Sequence, residues 1–284
     1  MESRDALPLF GTVLMSPGLP PQLADAGTGT LVSLPKDRRS AAMSSLDFIL
    51  EELVTANRIL ANEGIVDSFG HVSARHPDNP QHYLLSRARA PERIEREDIV
   101  EYTLDGKAID ERGRAPYLER YIHGAIYEAR PDVHAVVHNH SPSVIPFGVT
   151  GTRLRPLLHM CASCGHDVPV WDSHDKFGDT TLLVSDMDMG RDLAKLLGSR
   201  PTALMRGHGA TVVGRSVRHA LFISVYLEVG AKLQMQAMQM GEIKFLTRGE
   251  VDQIVARVND YTLNRAWENW ARRAGRAMQE AKAG

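Results

Sequence analysis

Val136-Val137-His138-Asn139-His140-Ser141 is the stretch that decides how this chain is read. The run from Val133 to Val137 is rich in β-formers, and in a strand successive side chains point to opposite faces, so His138 and His140 share one face. Two imidazoles roughly 7 Å apart along a strand can converge on one ion, because each metal–nitrogen bond adds about 2.1 Å of reach. The pair alone is an incomplete site. Catalytic sites commonly use three protein ligands and keep one position open, so a third ligand is expected elsewhere. His208, within Arg206-Gly207-His208-Gly209, is the candidate, since flanking glycines let the backbone turn tightly and approach another element. Glu119 is the carboxylate expected to accompany them.

Around this core the periodicity alternates between two and about 3.6. Leu46, Ile49, Leu50, Leu53, Ala56, Ile59 and Leu60 recur at helical spacing behind a Ser44 or Ser45 cap, and Gly64 ends the helix. Phe69 to Arg75 and His82 to Ser86 read as strands, and Ile99 to Asp110 as a hairpin around Asp105-Gly106. Pro116 suits a first helical turn, which predicts a helix from there to Arg130-Pro131 with Glu119 and His123 one turn apart. Strands are predicted at Thr181 to Ser185 and Thr202 to Met205, a helix from Gly190 to Leu197, and a long helix from Gly214–Ser216 to about Met240. Residues 1–43 read as an irregular arm, 44–248 as a catalytic domain, and 249–284 as a helical tail whose Trp267 and Trp270 pack on a neighbouring subunit.

A length of 284 residues at 43% hydrophobic content allows one sizeable core. Net charge of −2 shows no basic excess, so no nucleic-acid partner is expected. No apolar run reaches the ~18 residues needed to span a bilayer, and the apolar stretch from Ala6 to Met15 is broken by Pro8 and Gly11, a poor signal peptide. Two cysteines are too few for a disulfide framework and fit a reducing, cytoplasmic setting. Cys161-Ala162-Ser163-Cys164 has redox or zinc spacing, but without a second pair it reads as two small buried residues.

Glu119 on a helix, Arg130-Pro131-Asp132 ahead of His138-Asn139-His140-Ser141, and Gly207-His208-Gly209 ahead of a long helix together resemble the class II aldolase/adducin family over roughly Ser45 to Met240. The resemblance implies a three-layer α/β/α sandwich around a largely antiparallel sheet. It further implies a homo-oligomer, expected as a tetramer, with sites near subunit interfaces. His138, His140 and His208 would be metal ligands, and Glu119 the acid/base or an exchangeable ligand.

The sugar-phosphate aldolases of that family place Gly-Asn where this chain has Gly70-His71, Thr-Gly where it has Ser86-Arg87, and Ser-Ser where it has Tyr117-Leu118. Those small polar groups cradle phosphate, so a non-phosphorylated anion is expected here. Arg87 and Arg89 suit bidentate grip of a carboxylate, and with His71, Ser86 and Tyr226 they are the candidate substrate contacts.

The resemblance is nearest to the decarboxylase branch. It implies a divalent-metal-dependent decarboxylase of a hydroxylated aromatic or pyridine dicarboxylate, with 3-hydroxy-2-methylpyridine-4,5-dicarboxylate of vitamin B6 degradation as the expected substrate. Three imidazoles suit Zn²⁺, Mn²⁺, Fe²⁺ or Co²⁺, and the branch implies Mn²⁺ ahead of Zn²⁺. The alternatives are a dihydroxyphthalate decarboxylase, a metal-dependent aldolase of a non-phosphorylated hydroxy-keto acid, and a non-enzymatic scaffold like the adducin head.

Overall fold

The computed structural model describes residues 43–283, so the expected arm lies, except for Met43, outside the described residues. The strands are β1 (His71–Arg75), β2 (His82–Ser86), β3 (Ile99–Thr103), β4 (Ala135–Asn139), β5 (Val170–Trp171), β6 (Thr202–Met205) and β7 (Gly209–Gly214). They form one sheet in the order β3-β2-β1-β4-β7-β6-β5, antiparallel throughout except between β5 and β6. The helices are α1 (Ser45–Asn62), α2 (Arg120–Ala129), α3 (Ile145–Val149), α4 (His174–Phe177), α5 (Met187–Leu197), α6 (Val217–Met238), α7 (Arg248–Val255) and α8 (Asp260–Ala283).

Side-chain alternation sorts the core into two layers. Along β4, Ala135 and Val137 join a cluster with residues of α1, α6 and α8, whereas Val136 joins one with residues of α2 and α5. The result is a three-layer α/β/α sandwich. His138 and His140 follow Val136 at period two, which turns them toward the α2/α5 layer. None of the described helices is long and apolar enough to cross a membrane.

Local signals account for the element ends. Ser44 and Asp47 form a reciprocal capping box on α1, and the Asp186 carboxylate caps α5 by accepting from the Met189 amide. That cap starts α5 three residues before the expected Gly190. In the tail, Trp267 and Trp270 are buried in the same cluster as Leu53, Leu60 and Phe222. They cover this chain's own core.

Other expectations fail for identifiable reasons. Pro116 makes a bridge with Arg87 instead of opening a helix, and α2 starts at Arg120. The hairpin turn forms, with the Thr103 amide donating to the Lys107 carbonyl at 3.0 Å, but the return limb adds only a single bridge, between Tyr102 and Ala108. Thr181 to Ser185 is not a strand: Leu182 has φ 64°, a left-handed conformation no strand accommodates. Its main-chain groups are used by the site described next.

Candidate metal centre

His138 and His140 project from the end of β4. Beside them the chain turns from β6 to β7 through Gly207, whose φ of 65° suits glycine, and the His208 amide donates to the Met205 carbonyl at 3.1 Å. Gly209 lies so close to β4 that a Cβ there would sit 2.0 Å from the Asn139 carbonyl oxygen. That absent Cβ lets the His208 backbone reach the histidine strand. Glu119 occupies the N-cap position of α2 but makes no side-chain capping bond, leaving its carboxylate free to turn toward the sheet.

The four side chains meet. His138 Nε2 lies 3.1 Å from His140 Nε2 and 3.4 Å from Glu119 Oε2, and His208 Nε2 lies 3.6 Å from the same oxygen. One ligand atom from each of the four falls within 4.8 Å of every other. Ligands held 2.0–2.2 Å from one tetrahedral ion stand about 3.4 Å apart, so these spacings fit a shared divalent cation.

Hydrogen bonding supports the same reading. His208 Nδ1–H donates to the Leu182 carbonyl at 3.0 Å, which leaves Nε2 as a bare lone pair, buried and without a hydrogen-bond partner among the described residues. Orienting an imidazole through its other nitrogen is the usual arrangement of a histidine ligand, and His208 has it. Burial lowers the pKa of His140 to about 4, with the neighbouring His138 and His208 adding to the effect. Burial and His138 lower that of His208 as well, so both rings are neutral donors at pH 7. Burial pushes Glu119 up, but His138, His208 and the Val184 amide outweigh it and hold the carboxyl down at about 2. The set fits a divalent metal.

The other candidates are distributed differently. His71 faces His138 directly across the β1–β4 pair, with ring centroids 5.1 Å apart. Ser86, at the end of β2, is fully buried, and its hydroxyl has no partner among the described residues. Arg87 Nε and Arg89 Nη1 lie 2.5 and 2.6 Å from the two oxygens of buried Asp98, so both guanidiniums are engaged within the chain. Tyr226 packs at a tilt against Phe222 and Trp270 in the α1/α6/α8 layer, across the sheet from this chain's imidazoles.

Two features escaped the sequence reading. The Val184 amide donates to Glu119 Oε1 at 3.1 Å, which with Leu182 makes the irregular 182–184 segment the frame of the site. A buried chain also joins His71 to His123, Ser73 and Tyr127. The signal for it was present: residues 71 and 73 share a strand face, and 119, 123 and 127 lie one helical turn apart.

The class II aldolase and adducin N-terminal domain family matches residues 51–235. The chain belongs to this family. The decarboxylase tropJ of Talaromyces stipitatus is 31% identical over 243 residues, covering 77% of this chain and 91% of that one. The 3,4-dihydroxyphthalate decarboxylase of Arthrobacter keyseri is 28% identical over 235 residues, with the same two coverages of 77% and 91%. An aldolase II superfamily protein from Pseudomonas syringae superposes with a TM-score of 0.70 at 25% identity, covering 83% of this chain and 96% of that one. Membership in the class II aldolase/adducin family, with decarboxylases among the relatives, supports reading this chain as a lyase.

Proposed function

We propose that this chain is a divalent-metal-dependent decarboxylase of an aromatic or pyridine dicarboxylate bearing a hydroxyl beside the departing carboxylate. The observation that carries the reading is the convergence of three imidazole nitrogens and one carboxylate oxygen at the spacing of a shared ion. His138, His140 and His208 would hold the metal, with Mn²⁺ proposed ahead of Zn²⁺. When bound, the ion supplies a positive charge that stabilises a neighbouring oxyanion and orients the substrate.

Glu119 does the proton work. Its Oε1 is fixed by the Val184 amide and its Oε2 faces the imidazoles, so one oxygen anchors while the other reacts. A carboxyl held at about 2 is ionised at neutral pH and takes the proton of the substrate hydroxyl. It returns that proton to the ring carbon bearing the carboxylate. The carbon–carbon bond then breaks, CO₂ leaves, its electron pair restores the aromatic ring, and the product phenolate takes one proton from solvent. Proton transfer by a placed side chain typically contributes about 10²–10⁴ in rate.

The Arthrobacter keyseri relative supports 3,4-dihydroxyphthalate as one substrate of this class, and the sequence resemblance supports 3-hydroxy-2-methylpyridine-4,5-dicarboxylate. A homotetramer with sites near its interfaces is the proposed working form. It is supported by the exposure of apolar Phe69 and Leu118, each a near neighbour in sequence of a site residue.

The test is CO₂ release from each substrate by Mn²⁺-loaded protein, with and without chelator. Chelator-sensitive release is expected. No release from either substrate by protein shown to carry its ion, or formation of a carbonyl fragment from a hydroxy-keto acid instead, overturns decarboxylation in favour of aldol cleavage.

A further inference from the structure

His71 Nδ1 lies 2.6 Å from His123 Nε2, His123 Nδ1 lies 2.6 Å from Ser73 Oγ, and Ser73 Oγ lies 2.8 Å from the Tyr127 hydroxyl. Ser73 and His123 are fully buried, and His71 and Tyr127 nearly so. The four groups form an unbroken polar chain leading inward from the ring beside His138.

Each link could run in either direction, and the accounting of buried protons decides between them. The Tyr127 oxygen also meets the Val136 amide, which is a donor, so among the described residues Ser73 Oγ is the one acceptor for the Tyr127 hydroxyl proton. A buried hydroxyl proton left undonated is costly, so Tyr127 donates to Ser73. Ser73, having accepted, gives its own proton to His123 Nδ1. Burial keeps His123 neutral, its pKa held down at about 3, so its single proton sits on Nε2 and is donated to His71 Nδ1. Accepting at Nδ1 leaves that nitrogen of His71 without a proton, which places the ring's one proton on Nε2. Among the described residues the hydrogen bond of this ring runs through Nδ1 alone.

We infer that Tyr127, Ser73 and His123 are positioning residues that lock His71 as a neutral Nε2–H donor at the edge of the metal centre, where it hydrogen-bonds a carboxylate or phenolate oxygen of the substrate. The identity of that oxygen rests on the decarboxylase reading; the locked tautomer does not. The same lock separates His71 from the ligands. With Nδ1 occupied and Nε2 protonated, a fourth imidazole beside the cluster has no lone pair to offer an ion. It contributes a donor without adding positive charge.

Nitrogen NMR of ¹⁵N-histidine-labelled, Zn²⁺-loaded protein reads the tautomer without any substrate. A protonated Nε2 and bare Nδ1 are expected for both His71 and His123. The opposite pattern at His71 overturns the inference, whatever the CO₂ assay gives. His123→Gln can still donate to His71 and accept from Ser73, so it is expected to keep the His71 pattern, whereas His123→Leu and Ser73→Ala lose it. Phthalate binding, followed by calorimetry, reads the donor itself. His71→Leu is expected to weaken it about 10- to 100-fold with metal content unchanged, and His123→Gln to retain it. Equal phthalate affinity in wild type and His71→Leu, or no phthalate binding by the wild type, overturns the carboxylate contact.

Discussion

The Val184 amide holds Glu119 by one oxygen only: it donates to Oε1 at 3.1 Å, and Oε2 is left 3.4 Å from His138 Nε2. Glutamine can satisfy the first contact and not the second. Glu119→Gln is therefore expected to fold and keep its metal while turnover falls by about 10²–10⁴. The paired measurement is CO₂ release and bound metal by elemental analysis. Full activity in the variant removes Glu119 from the proton transfer.

Metal binding to the folded state stabilises it by mass action. Stabilisation reaches about 2.7 kcal/mol at a free ion concentration 100 times Kd. Chelator-treated protein is expected to show a saturable rise in Tm on addition of Mn²⁺ or Zn²⁺. His208→Ala, which removes one donor from the cluster, is expected to need far more ion for the same rise. An identical titration in wild type and variant would place the ion elsewhere.

Acid should unfold the metal-free protein early. Burial lowers the pKa of His71, of His123 to about 3, of His140 to about 4 and of His219 to about 4, all from the ordinary 6.5. Between pH 6.5 and those lower values the unfolded chain binds more protons than the folded one, so stability falls as pH is lowered. Glu119, depressed to about 2, adds a second loss that begins below its ordinary 4.5. The measurement is Tm of the chelated protein against pH. A flat profile from about pH 7 to 4.5 contradicts the burial of these rings.

Asp98 is buried between Arg87 and Arg89, which are partly exposed. Replacing either arginine by Met leaves Asp98 with the other arginine and the Glu95 amide, which donates to its Oδ2 at 2.9 Å, and is expected to cost about 1 kcal/mol, because solvent screens these pairs. KM is expected to change little. A tenfold rise in KM at unchanged Tm would instead make the arginine a substrate contact.

Gly209→Ala places a methyl 2.0 Å from the Asn139 carbonyl, against backbone that cannot swing away. A destabilisation of about 1–3 kcal/mol or more is expected, read as a lower urea midpoint with loss of metal.

The legible parts of the fold were those set by short periodicities. His138 and His140 share a face because strand period is two, and Glu119 falls one helical turn before His123; both relations survive folding. Tyr226 was not legible in the same way. It lies on α6, which is apolar nearly all round, so pattern alone does not say which face meets the sheet and which meets Trp270. Thr181 to Ser185 misled for a different reason. Its composition favours a strand, but the amide of Val184 and the carbonyl of Leu182 serve two side chains from distant elements, a tertiary demand no local window contains.

The pairing of His138 with Thr211 across β4 and β7 also bears on quality control during folding. A slip of one residue in that pair would set Val137 opposite Thr211 and reverse which face His138 presents. A misregistered molecule could not bring His138 and His140 to His208, so under the proposed function it would stay ion-free. Metal content per chain would then be a readout of strand register, and a purified sample with substoichiometric metal that resists reloading would contain a trapped, out-of-frame population.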